Sequence, residues 1–413
     1  MEIESASNPD PPKESLSDLP AREPKRLAIL TRRFWPVSGA TELAVGRLAA
    51  ALHAAGHTIE IFTVCWEKTW PSNLQFCEVP VRRRPKSTSG PWRSLRAIRP
   101  LSRYLTDFEP DGILAFGCDD QTWLAAQAFS DRLPFVLRMD SRSLELNRSR
   151  SNEAARQSQV LEMATALLCD CQATADELER RSANCGSKIQ IVPDLINAAQ
   201  PDRRTPAKQS AARNALSDAH PVLTIETDQP LVVCAARLDH DAGVLDLVRA
   251  WPAVLERHPK ARLWIVGDGP AGERIWEEIN KLGLVYSVIM PGFFDDLSEV
   301  LLAANVYVHP LRHSGYDSRL VEALLSGICC VASPASEQEG LIRHNQTGVI
   351  ADLGQPGDFS NALIDTLSQA DLRQRLGRAG YLANQTQFEP QNILDSYLKP
   401  FYTGAEQPLP ALD

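Results

Sequence analysis

The chain has 413 residues, 44% of them hydrophobic and 23% charged, and a formal net charge of −9. These are the values of an ordinary soluble protein of two or three domains, and the acidic balance argues against a global nucleic-acid binder. No apolar run approaches the roughly 18 residues that a membrane span requires.

Residues 1–24 are polar and proline-rich and lack the apolar segment of a signal peptide, so they read as a disordered leader. Arg26–Thr31 reads as a strand. Residues 42–55 place Leu43, Val45, Leu48, Ala49 and Leu52 at helical spacing, and Gly56-His57 ends that helix. Short apolar strands follow at 58–64, Gly112–Phe116, Phe135–Met139, 166–170 and 189–192, with helical patterns between them. Residues 198–230, rich in Pro, Ala, Asp and Arg, read as a linker with one helix near 211–216.

Leu231–Ala235 opens a second alternation. A helix follows over Val244–Arg257, then a strand over Arg262–Val266 and the turn Gly267-Asp268-Gly269-Pro270. Another helix and a third strand lead to Pro291-Gly292, then a helix over 295–304, the strand Val306–His309 and a helix over 318–326. The tail after Asp371 is helical, with a last helix over 390–402. Strands alternating with helices predict an α/β protein with two parallel, doubly wound sheets. The expected domains are 25–197, with the last helix packing back on it, and 231–389. Nine scattered cysteines match no zinc spacing and read as reduced core residues of a cytosolic protein.

Open parallel sheets bind ligands beyond the carboxyl ends of their strands, so the residues there are candidates. Arg237 follows the strand that opens the second domain, and a salt bridge is its bland alternative. Asp140 ends Phe135–Met139, where its carboxylate suits contact with a ligand hydroxyl or a structural cap; Asp119 and Asp120 are weaker candidates. Gly39 precedes a helix, where bare backbone admits a phosphate, although an ordinary loop glycine fits equally. Gly267-x-Gly269-x-x-Gly272 matches the dinucleotide fingerprint but follows the second strand of its domain, where that fingerprint does not belong. Residues 81–103 hold Arg82, Arg83, Arg84, Arg93 and Arg96 among other bases and no acid. With Trp92, Leu95, Ile98 and Leu101 interleaved, this stretch reads as a contact for an anionic membrane surface or acidic acceptor, or as a solvated face.

Four motifs occur in order. They are Phe34-Trp35-Pro36-Val37-Ser38-Gly39-Ala40-Thr41-Glu42; Arg237-Leu238 with Gly243; Val266-Gly267-Asp268-Gly269-Pro270; and Val308-His309-Pro310 with Glu322-Ala323 and Gly327. Over nearly all of 26–402 this set resembles the retaining GT-B glycosyltransferases of family four. The resemblance implies two Rossmann-like domains facing across a cleft. It implies transfer of a sugar, with retention, from a nucleotide-sugar donor to a hydroxyl of a glycan, lipid-linked carrier or small molecule. It implies no metal and no cofactor beyond that co-substrate. The cysteine usage and the basic stretch lead to the expectation of a cytoplasmic protein, peripheral at the inner face of the membrane.

By the same resemblance, Arg237 and Gly39 would serve the donor diphosphate, Gly267, Gly269 and Gly315 the donor site, and Glu322 the ribose hydroxyls; a helix-dipole partner is the bland reading of Glu322. Two positions depart from the family pattern. Ala242 stands where a lysine is expected, and Ser314 stands where the first of two glutamates is expected. His240, Arg312, His313 and Arg319 are candidates to compensate the missing charge. The departures leave a second expectation open, a catalytically impaired relative that binds nucleotide sugars or acts as a scaffold.

Overall fold

The computed structural model of the chain describes residues 23–36, 39–67, 69–85, 93–140, 151–182, 185–196, 204–240, 242–312, 317–338, 340–355 and 357–403. The chain divides into two compact units, one running to Leu195 and resuming at Glu389, the other Ile196–Phe388.

The first unit holds an eight-stranded sheet of β1 (Arg26–Thr31), β2 (Thr58–Cys65), β3 (Asn73–Phe76), β4 (Val79–Pro85), β5 (Gly112–Phe116), β6 (Phe135–Met139), β7 (Ala166–Cys169) and β8 (Ile189–Ile191). Its order is β3-β4-β2-β1-β5-β6-β7-β8, and every pairing except β3–β4 is parallel. Helices on both faces of a parallel sheet bury its strands from two sides, which explains uninterrupted apolar runs such as the fully buried Gly112–Phe116. The last helix, Pro390–Thr403, belongs to this unit: Phe401 packs so closely on Gly112 that a Cβ there would overlap its ring.

The second unit holds β9 (Leu231–Ala235), β10 (Arg262–Val266), β11 (Val288–Gly292), β12 (Val306–His309), β13 (Cys329–Ala332) and β14 (Val349–Ile350). All of its pairings are parallel, in the order β11-β10-β9-β12-β13-β14. Counted within the unit, this is the 3-2-1-4-5-6 order of a Rossmann fold, whose ligand crevice lies where the order reverses, here beyond β9 and β12. In the first unit the same reversal falls between β1 and β5.

Within the expected linker, the helix Pro206–Ala219 is capped by Thr205 and belongs to the second unit. Arg213 donates to the Ala303 carbonyl (3.1 Å), the Asn305 side chain (3.0 Å) and the Glu226 carbonyl (2.8 Å). The carbonyls at the end of helix Ser298–Ala303 lack intrahelical partners, and Arg213 supplies a donor to that of Ala303.

All nine cysteines are free, and Cys169, Cys171, Cys185, Cys234, Cys329 and Cys330 are buried. No helix among the described residues is long and apolar enough to cross a membrane.

The first three arginines of the basic stretch do not form a solvent-facing run; residues 86–92 of it lie outside the described residues. Arg82, Arg83 and Arg84 lie on β4, which is flanked on both sides by other strands. Arg83 is 2% exposed and donates to the carbonyls of Pro71 (3.0 Å) and Trp35; Arg84 is 8% exposed and donates to Gln121 (2.8 Å). Arg82 is ion-paired with Glu60 at 3.2 Å. Arg83 and Arg84 therefore serve the interior, because unpaired backbone and amide acceptors there need donors. Arg93 and Arg96 lie on the helix Arg93–Phe108.

Candidate functional site

In the second unit the loop leaving β9 is laced to the loop leaving β10. Ala236 N–H donates to Val266 (3.0 Å), Leu238 N–H to Asp268 (3.0 Å) and Ala271 N–H to Leu238 (2.8 Å). Gly267, at φ +145°, has a backbone that side-chain-bearing residues rarely adopt, and a Cβ built on it would overlap the Ala236 carbonyl oxygen. A Cβ on Gly269 would sit 2.5 Å from the Leu238 carbonyl oxygen. The room these two glycines make is thus filled by protein backbone, and what they position is the loop carrying Arg237. Gly267→Ala is expected to lower stability by about 2–3 kcal/mol, read by urea denaturation. Gly272→Ala, whose Cβ would meet only an ordinary contact at 3.7 Å, should cost nothing measurable. Equal midpoints for the two variants would refute this account of the loop.

Arg237 follows β9 and is half exposed. Its Nε donates to both oxygens of the Asp239 carboxylate at 2.8 Å, so the bland salt-bridge reading is realised locally. The pair is open to solvent, where such bridges contribute little to stability. Gly243, at φ +73°, caps helix Val244–Arg257 and lies against the Pro310 carbonyl, which brings the loop after β9 onto the end of β12. Ala242 is buried in the hydrophobic core beside Val244.

Beyond β12, Asp317 caps helix Ser318–Leu325 by accepting from the Arg319 N–H at 2.9 Å. Glu322 lies in the helix's second turn and is 4% exposed, so the first-turn dipole role falls to the Asp317 cap instead. Ser314, Gly315 and His313 lie outside the described residues. Arg312 is bound to the Asp246 carboxylate (Nε at 3.1 Å), Arg319 packs over Phe293 at 5.8 Å, and His240 is exposed. His309 is buried with its Nδ1 lacking a hydrogen-bond partner among the described residues. Burial holds its pKa below the ordinary histidine value, Arg319 adds to that, and Asp317 opposes it. The neighbouring Tyr307 hydroxyl donates to the Ala235 carbonyl at 2.9 Å, tying β12 to β9 at the reversal.

In the first unit, Gly39 is the N-cap of helix Ala40–Ala54 with extended backbone (φ −174°), a conformation open to any residue. The Thr41 hydroxyl in that helix's first turn donates to Asp140 at 3.1 Å, so the structure joins the Gly39 loop to the end of β6 across 99 residues of sequence. Asp119 accepts from the Thr122 N–H (2.8 Å) as a helix cap, and Asp120 pairs with Arg156 at 2.5 Å; both have structural work.

Sequence reading missed the groups around Asp140. Arg138, 3% exposed, donates to the Tyr397 hydroxyl oxygen (2.8 Å), Asp194 (2.6 Å) and the Met139 carbonyl (2.7 Å). Burial opposes its charge, but Tyr397 and the carboxylates of Asp194 and Asp170 hold its pKa above the ordinary value. Burial raises the Asp170 carboxyl to about 6, opposed by Arg138 and the Thr174 hydroxyl. The only early signal was a run of polar residues at the ends of apolar strands.

Two family models match, "Glycosyl transferase 4-like domain" over residues 39–194 and "Glycosyl transferases group 1" over 217–383. Among curated proteins, the chain is 26% identical over 177 residues to the lipopolysaccharide core biosynthesis glycosyltransferase LpsE of Rhizobium meliloti, covering 43% of this chain and 51% of that one. It is 27% identical over 157 residues to the sulfoquinovosyl transferase SQD2 of Arabidopsis thaliana, 37% of this chain and 30% of that one. The matches thus span about half or less of these two relatives. Among solved structures, sucrose-phosphate synthase of Thermosynechococcus elongatus superposes with a TM-score of 0.74 at 18% identity, covering 92% of this chain and 98% of that one. HepE of Anabaena, solved with UDP and glucose, gives 0.72 at 17% identity, covering 92% and 100%. At such identities these likenesses show the fold.

Proposed function

The chain belongs to the group 1 glycosyl transferases of GT-B fold, and from that membership we propose that it moves a sugar from a nucleotide-diphosphate donor to an acceptor hydroxyl. One observation carries the reading. Arg237 leaves β9 and Glu322 lies on the helix that leaves β12, and these are the two strands flanking the reversal of the second sheet. There Arg237 would stabilise charge developing on the departing diphosphate, and Glu322 would accept hydrogen bonds from the ribose. Ser314 and Gly315 are assigned to the donor-sugar side by family resemblance. Asp140, already accepting from Thr41, would face the acceptor hydroxyl.

The finer proposals are retention at the anomeric carbon, independence from metal, and a glycan, lipid-linked or small-molecule acceptor. We also place the protein in the cytoplasm, peripheral at the inner face of the membrane. Of the basic stretch, only helix Arg93–Phe108 supports that placement, since Arg83 and Arg84 are buried.

A second reading has its own support. Ala242, in place of the family lysine, is packed in the core, so that charge is absent and its position is closed. A nucleotide-sugar-binding scaffold is the corresponding function.

Thermal shift with a panel of nucleoside diphosphates, followed by mass spectrometry of products from mixed nucleotide sugars and cell-envelope lipids, tests both. Stabilisation with a glycosylated product supports the transferase. Stabilisation without product supports the scaffold, and no shift with any nucleotide removes both.

A further inference from the structure

The two loops at the carboxyl ends of β1 and β2, with Arg83 of β4, bring arginines and tryptophans together within the first unit. Arg32 and Arg33 hold their guanidiniums over the single ring of Trp66, at 5.3 and 4.8 Å from its centroid. The indole is itself fixed, because its Nε1 donates to the Arg32 carbonyl at 3.0 Å. The Thr31 hydroxyl fixes the next peptide by donating to the Arg33 carbonyl at 3.0 Å. Behind them, the buried Arg83 packs over Trp70 at 5.2 Å and donates to the carbonyls of Pro71 and Trp35, joining the segments that flank the two strands.

Two cations meet here on one aromatic ring. Arg32 and Arg33 are exposed, and neither forms an ion pair with a carboxylate among the described residues. Other described arginines of the unit are ion-paired instead: Arg82 with Glu60, Arg103 with Asp107, Arg156 with Asp120, and Arg180 and Arg181 with Glu177; the exposed Arg26 and Arg132 form no ion pair among the described residues either, but they stand singly. Two adjacent, uncompensated guanidiniums repel each other, and stacking on one indole offsets part of that cost. Their planar donor forks match the oxygens of a phosphate group. They also sit where an open sheet receives ligands, beside the reversal between β1 and β5.

We propose that Arg32 and Arg33, ordered by Trp66, form a clamp for a phosphate mono- or diester carried by the acceptor. The inference rests on the transferase reading: Arg237 and the Gly39 backbone already have the donor diphosphate as their proposed ligand, so a further anion site in the first unit falls to the acceptor. The phosphate belongs either to a soluble phosphosugar or to a lipid headgroup, and one experiment separates the two.

The full chain is labelled with 5-fluorotryptophan, and the Trp66 fluorine resonance is assigned with Trp66→Phe. One arm titrates glucose 6-phosphate, with glucose as the neutral match. The other titrates phosphatidylcholine vesicles containing phosphatidic acid, with pure phosphatidylcholine as the match. The Trp66 resonance is expected to respond to a phosphate probe and not to its neutral match. In Arg32→Gln/Arg33→Gln the apparent affinity should fall by about tenfold or more. Response in the first arm identifies a phosphosugar, and response in the second a headgroup. A silent Trp66 resonance in both arms, or undiminished affinity in the double variant, overturns the clamp. Nucleotide thermal shift and nucleotide-sugar turnover are read on the same samples. If they persist while the phosphate response is missing, only the clamp fails; if they are missing while the response is present, only the transferase reading fails.

Discussion

Arg138→Met is expected to destabilise the protein by about 3–5 kcal/mol, because it removes one side of a buried charge cluster and leaves the other side unpaired. Arg138 is bonded to Tyr397 and Asp194, and its charge holds down the pKa of the neighbouring Asp170. Without the guanidinium, the Asp194 carboxylate loses a 2.6 Å ion pair, and Asp170 loses the cation that partly offsets its burial. Tyr397 lies on the last helix, 259 residues away in sequence, so the same change loosens the attachment of Pro390–Thr403. For a unit of this size, a melting temperature lower by roughly 10 °C is expected, with greater proteolytic sensitivity of the C-terminal segment. The double change Arg138→Met/Asp194→Leu should recover part of the loss, since removing both charges leaves neither stranded. A single variant that melts like the parent would show that the cluster contributes nothing net.

The largest expected effect on activity comes from Arg237→Ala, which should lower the rate of nucleotide-sugar turnover by about 10²–10³. Melting should hardly change, because the exposed pair with Asp239 is worth at most about 1 kcal/mol. The separation of the two readouts is the point of the test. A guanidinium acting only as a surface ion pair would leave both unchanged. One acting on the developing diphosphate charge would lower turnover alone, and Arg237→Lys would restore only part of it, because an ammonium keeps the charge without the fork. Asp239 accepts from the Nε of Arg237, so its carboxylate competes with a donor phosphate for one edge of the guanidinium. Asp239→Asn is therefore the companion variant, expected to bind nucleoside diphosphates more tightly than the parent. Unaltered turnover in Arg237→Ala would move the charge to another group.

Strands buried on both faces declare themselves as short apolar runs, and their alternation with helices was legible from Arg26 to His309 because periodicity is a local property. Arg26–Thr31, Arg262–Val266 and Val306–His309 fall where the pattern put them. The hairpin of β3 and β4 was not legible. Its two-residue turn places Cys77 and Glu78 at φ +45° and +66°, a conformation that Asn-Gly or Asp-Gly would have announced. Without that signal, Arg82, Arg83 and Arg84 looked like a solvent-facing basic run. Pairing with β2 and β3 put two of them inside.

By itself the sequence determined the two alternations of strand and helix, the family, and the positions of Arg237, Glu322, Gly39 and Asp140 near strand or helix ends, because each follows from a residue and its near neighbours. Tertiary structure alone decided that Gly267 and Gly269 shape the loop bearing Arg237, that Thr41 reaches Asp140, and that Arg138 meets Asp194 and Tyr397. Those outcomes depend on which backbone approaches which side chain across tens to hundreds of residues, and only the order of strands in a folded sheet fixes that approach.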